Sequence, residues 1–209
     1  MSIPRIPAYE LPTISEIVPN KVSWHLDIDR AALLIHDMQD YFVQFYGTDN
    51  ALLELIIRNM AKVLAFCREH DVPVYYTAQK AAQTPQERAL LSDMWGQGMT
   101  GLTHLEGIIA DLKPLHSEPI LVKHRYSAFQ RSDLEERLQK ANRDQLMICG
   151  IYANIGCVTT AVDAFMRDVK PFMVMDAIAD FSKQEHVTAL NYLASKVGVV
   201  VETEGVLSS

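Results

Sequence analysis

The chain has 209 residues, 49% hydrophobic and 22% charged, enough to bury a substantial core and far from the composition of a disordered segment. Its formal net charge of −7, with no run of Lys or Arg, argues against nucleic acid or an anionic membrane as partner, so any anionic small ligand must be met by a few locally placed cations. Three cysteines, Cys67, Cys149 and Cys157, show neither disulfide nor metal spacing, which fits a reduced, cytoplasmic protein.

The opening stretch MSIPRIPAYELPTISEIVPN carries four prolines and no apolar core of signal-peptide length. No window reaches the ~18–20 apolar residues of a membrane span. The first strand is expected at AALLIHD, residues 31–37. It ends abruptly on His36-Asp37, and Asp40 follows three residues later. A carboxylate at the end of a buried run is costly unless it is paired or put to use.

Residues 51–70 then place Leu52, Ile56, Met60, Val63, Leu64 and Cys67 along one helical face. Further strands are expected at 72–79 (VPVYYTAQ), 119–124 (PILVKH), 145–152 (QLMICGIY), 171–177 (PFMVMDA) and 197–202 (VGVVVE). Ser132 with Glu135, and Ser182 with Glu185, match the reciprocal capping box that opens a helix. Another helix is expected from about Cys157 to Asp168, stopping before Lys170-Pro171.

Strand–helix alternation with nearly continuous apolar strands reads as an α/β fold: a three-layer α/β/α single domain over residues 1–209 with a mostly parallel sheet. In such sheets ligands sit beyond the carboxyl ends of the strands. The residues expected there are Asp37, Gln79, Lys123-His124-Arg125 and Cys157, the last at a helix N-terminus. An acid, a lysine and a cysteine would converge on one rim.

Several segments in this order resemble the isochorismatases, within the wider cysteine-hydrolase-like superfamily: LLIHDMQDYF (33–42), PVYYTAQ (73–79), RALLSDMWGQG (88–98), RYSAF (125–129), RDQLMICGIYANIGC (143–157) and DAFMRDVKPFMVMDAIADFS (163–182). The resemblance is strongest to the isochorismatase domain of catecholate siderophore biosynthesis. It implies hydrolysis of the vinyl ether of isochorismate to pyruvate and 2,3-dihydro-2,3-dihydroxybenzoate, without cofactor or metal. It also implies a homodimer, and a siderophore synthetase or carrier protein as partner. The aryl carrier domain fused to some relatives is not expected in a chain ending TEGVLSS.

Vinyl-ether hydrolysis needs a proton delivered to carbon, and the resemblance assigns that general acid to Asp37. Burial would raise its pKa and Lys123 would lower it, and the sequence leaves the balance open. Lys123 is the second catalytic candidate, toward the enol-pyruvyl group. For a dicarboxylate substrate the pattern points to Gln79, Arg88, Tyr126 and Tyr152 as polar contacts, with Phe42 and Trp95 as apolar walls. A solvated helix face accounts equally for Arg88, and core packing for Phe42 and Trp95. Cys157 is read as lining the site without chemistry, although a helix N-terminus lowers a thiol pKa.

Three departures from the close relatives stand out: His124 for Trp, Asn154 for His, and Lys80-Ala81 for Pro-Gly. Asn154 stays a substrate-contact candidate, since an amide can donate and accept a hydrogen bond as imidazole does. The competing readings are a 2-amino-2-deoxyisochorismate hydrolase of phenazine type, amide hydrolysis through Cys157, and a non-catalytic interaction module.

Overall fold

The computed structural model describes residues 3–209. Six parallel strands form one sheet: β1 (Ala31–His36), β2 (Val74–Ala78), β3 (Ile120–Val122), β4 (Gln145–Ile151), β5 (Lys170–Ala179) and β6 (Val199–Val201). Their spatial order is β3-β2-β1-β4-β5-β6, so the order reverses between β1 and β4. All six expected strands are present. The third is shorter than expected and the fifth runs longer, to Ala179.

Both faces of the sheet are covered, which is why β1 is buried throughout rather than alternating. Leu33 and Ile35 point into one core with α2 (Ala51–Glu69), while Ala32 and Leu34 point into the other with Leu134, Leu138, Ala161 and Leu190. Every predicted apolar residue of α2 is buried, and the Asn50 side chain caps the helix by accepting from the Leu53 N–H at 3.1 Å.

The remaining helices are α1 (Asp40–Val43), α3 (Pro85–Arg88), α4 (Leu91–Trp95), α5 (Leu134–Lys140), α6 (Val158–Phe165), α7 (Lys183–Lys196) and α8 (Thr203–Leu207). Ser182 caps α7 as its spacing predicts, accepting from the Glu185 N–H at 3.2 Å. Ser132 does not cap α5 in that way. Its hydroxyl donates to the Ala128 carbonyl at 2.5 Å, and the helix starts one residue later with Asp133 as N-cap. Among the described residues no helix is long and apolar enough to cross a membrane.

Candidate active site

The carboxyl ends of β1 to β5 open on a pocket at the point where strand order reverses. Asp37 leaves β1 in the left-handed region at φ 51°, a conformation Asp tolerates better than most residues. Thr77 of β2 holds it from two sides. The Asp37 N–H donates to Thr77 Oγ1 at 3.0 Å, and the Thr77 hydroxyl donates to Asp37 Oδ1 at 2.6 Å. The other carboxylate oxygen, Oδ2, meets Lys123 Nζ at 2.6 Å.

Burial pushes the Asp37 carboxyl up, but the Lys123 charge and the hydrogen bonds from Lys123 and Thr77 outweigh it and hold it below the usual carboxylate range. In the free protein Asp37 is therefore a carboxylate. His36, beside it, is fully buried, and that burial pushes its imidazole pKa down; Nδ1 lies 2.9 Å from the Ile151 carbonyl and Nε2 3.3 Å from the Tyr126 carbonyl. Gly156 makes room for that ring: a Cβ there would lie 2.1 Å from His36 Cε1.

Arg88 is 7% exposed and lines the pocket. Its Nε donates to the Gly96 carbonyl at 2.7 Å, and among the described residues it has no carboxylate partner within salt-bridge distance. A buried guanidinium without a counter-ion is poised for an incoming anion. Gly98, at φ 60°, closes the cradle, because a Cβ there would fall 2.5 Å from the guanidinium. Thr84 and Glu87 open α3 with a capping box, a signal in TPQE that was legible and fixes Arg88 at its C-terminal end.

The other wall is aromatic. Trp95 Nε1 donates to the Tyr126 hydroxyl at 2.9 Å, and the Tyr152 hydroxyl donates to the Phe42 carbonyl at 2.9 Å. Tyr152 packs against Phe181 with ring centroids 4.5 Å apart. Of the ten residues the sequence points to, Asp37, Phe42, Gln79, Arg88, Trp95, Lys123, Tyr126 and Tyr152 line this one pocket.

Asn154 and Cys157 do not line it. The Asn154 side chain is exposed, and only its backbone N–H is engaged, by the Asp180 carboxylate. Cys157 is completely buried in the second core. A π-helical turn (Ala153–Cys157) precedes α6, which sinks the thiol beneath the pocket wall. The expected helix-terminus lowering is reversed: burial pushes the thiol well up, and the Asp37 and Asp180 charges add to it. His124 also stays off the lining.

Residues the sequence reading missed include Ile3, Tyr41, Leu91, Ile155 and Phe181 in the lining, and Gln39 behind it. Gln39 is fully buried. Its side-chain oxygen accepts from the Gln79 N–H at 2.8 Å, and its Nε2 donates to the carbonyls of Gln79 at 2.8 Å and Glu106 at 2.7 Å. Its place two residues after Asp37 is the only sequence signal for it. Among the described residues, no group of three or more His, Cys, Asp or Glu is arranged to hold a metal.

Comparison with known proteins bears on the chemistry. The family model described as the isochorismatase domain matches residues 31–205. Enterobactin synthase component B of Escherichia coli K12 is 52% identical over 207 residues, covering 99% of this chain and 73% of the relative. An isochorismatase of Bacillus subtilis is 46% identical, over 99% of this chain and 66% of its own. The phenazine biosynthesis protein PhzD of Pseudomonas fluorescens is 42% identical over 98% of both chains. Among solved structures, a cysteine hydrolase from Pseudomonas syringae pv. phaseolicola superposes with a TM-score of 0.82 at 23% identity, over 91% of this chain and 96% of that one, a likeness of fold.

Proposed function

This chain belongs to the isochorismatase family, and on that premise we propose that it hydrolyses the vinyl ether of isochorismate to pyruvate and 2,3-dihydro-2,3-dihydroxybenzoate in siderophore biosynthesis. The observation that carries the reading is the buried Asp37–Lys123 pair facing a pocket whose other cation, Arg88, has no carboxylate partner among the described residues. A dicarboxylate ring compound satisfies both halves of that pocket: cations for its carboxylates, aromatic walls for its ring.

The proton is the central question, because free Asp37 is ionised. Two substrate carboxylates brought into the same enclosed site oppose a further negative charge and raise the Asp37 pKa, so the proton is taken up with the substrate. Asp37 then passes it to the terminal methylene, which becomes the methyl group of pyruvate. The resulting oxocarbenium ion is captured by water, whose released proton returns to the Asp37 carboxylate. The hemiketal collapses as its hydroxyl proton moves to the ring oxygen, freeing both products. Lys123 holds Asp37 in place and stabilises the carboxylate left by the transfer to carbon, until the water proton returns. A positioned acid of this kind supplies roughly 10²–10⁴-fold.

The test is pyruvate release from purified isochorismate, followed by NADH loss through lactate dehydrogenase, with Asp37→Asn as control and 2-amino-2-deoxyisochorismate as the second substrate. Rapid release that depends on Asp37 supports the reading. Faster release from the amino substrate would move it to the phenazine type, and release from neither would defeat it. A dimer is proposed on the same family grounds, and a monomer mass in light scattering at all concentrations would refute that.

A further inference from the structure

The part of the chain that matches the family model begins at residue 31, but the pocket is not walled by that part alone. Ile3 lines it, half-buried against the first core. The segment that carries Ile3 is pinned at two further points. Ile6 is 1% exposed, its N–H donates to the Phe45 carbonyl at 2.7 Å, and its carbonyl accepts from Asn50 Nδ2 at 3.4 Å.

Three residues on, the Tyr9 hydroxyl accepts from the Asp180 N–H at 2.8 Å and donates to His186 Nδ1 at 3.2 Å. The direction of the second bond is fixed by the far side of the ring, where Nε2–H donates to the Met175 carbonyl at 3.1 Å. Asp180 is followed by Phe181, which faces the pocket and packs on Tyr152. The N-terminal segment thus reaches the site twice: directly through Ile3, and through Tyr9 at the residue preceding an aromatic wall.

We propose that residues 3–9 form a strap that completes the substrate site, with Ile3 as a specificity-determining contact to the apolar part of the substrate. The substrate half of this inference rests on the proposed function above. The closure half does not.

Ile3→Asp changes a half-buried residue at the edge of the first core, so the fold is expected to survive with a small loss of Tm. It sets a carboxylate against a dicarboxylate substrate and removes apolar contact. KM for isochorismate should rise by about tenfold with kcat little altered, the pattern of lost uniform binding. Ile14→Asp, beyond the strap, 52% exposed and outside the pocket, is the control and should leave KM alone.

The closure half is read without substrate. In a Trp24→Phe background, acrylamide quenching of Trp95 should increase in Ile3→Asp and not in Ile14→Asp. An unchanged KM in an active protein overturns the specificity role, and unchanged quenching overturns closure. A wild-type chain that releases no pyruvate defeats the functional reading, while the quenching result still decides whether the strap walls the pocket.

Discussion

Lys123 Nζ lies 2.6 Å from Asp37 Oδ2, and the two side chains are only 3% and 7% exposed. They follow strands that are not neighbours: β2 runs between β1 and β3, and Thr77 on it donates to the other Asp37 oxygen. A buried pair of this kind adds little net stability but is costly to break, because the survivor is left charged and unpaired.

Lys123→Met should therefore reverse the ionisation of Asp37. With the cation gone, burial dominates and the carboxyl pKa rises above its ordinary value of 3.8. Infrared difference spectra should show a protonated carboxyl band near neutral pH in the variant, absent from the wild type and from Lys123→Met/Asp37→Asn. A raised carboxyl pKa favours the folded state below the unfolded value and loses that advantage as pH rises. The stability cost should then be about 3 kcal/mol at pH 7 in urea unfolding and smaller at pH 4.

Cys157→Ala should keep most of the activity, since water can attack the oxocarbenium ion without a covalent intermediate. The native thiol, fully buried and pushed well up in pKa, should resist iodoacetamide until the protein is unfolded. Loss of turnover in this variant, with Asp37→Asn still active, would replace the mechanism proposed above by thiol chemistry.

Gln39 uses both side-chain donors and its acceptor to hold the backbone at Gln79 and Glu106. Gln39→Glu keeps the shape but turns a carboxylate toward two carbonyls. It should lower kcat/KM by about tenfold or more, and little further when Gln79 is already Ala, because both changes act on the same side chain. Full additivity in the double-mutant cycle would show that Gln39 acts on the fold alone.

The pH dependence of stability holds two opposed contributions joined through Tyr9. Burial raises Asp180 from 3.8 to about 6, so its contribution is present at low pH and is lost as pH climbs from about 4 to 6. Burial lowers His186 from 6.5 to about 4, so its contribution is present above pH 6.5 and lost as pH falls toward 4. His186→Gln should lose less Tm than wild type between pH 7 and 4.5, and Asp180→Asn should lose more. Identical slopes in all three proteins would show that neither group is linked to folding as described.

Much of this architecture follows from local rules. The apolar run at 31–35 announces a sheet covered on both faces, and the 51–70 periodicity gives α2 because six apolar residues share one face. Ser182-x-x-Glu185 caps as written, whereas Ser132 is drawn off by the Ala128 carbonyl, a competition between local partners that spacing does not reveal. Asn154 and Cys157 illustrate the same limit. Both sit beside pocket residues in sequence, but the π-helical turn rotates the amide to solvent and the thiol into the core.

The strand-and-helix alternation and the placing of Asp37, Gln79 and Lys123 on one rim follow from periodicity, capping and strand ends, which are properties of a few neighbouring residues; Phe42, Arg88, Trp95, Tyr126 and Tyr152 came from the family resemblance. The ionisation of Asp37, the clamp by Gln39 and the place of Ile3 in the pocket wall are set by tertiary contacts. Each depends on groups distant along the chain being brought within hydrogen-bonding or packing distance under shared burial. There the balance between desolvation and a nearby charge is set by ångströms that no local pattern encodes.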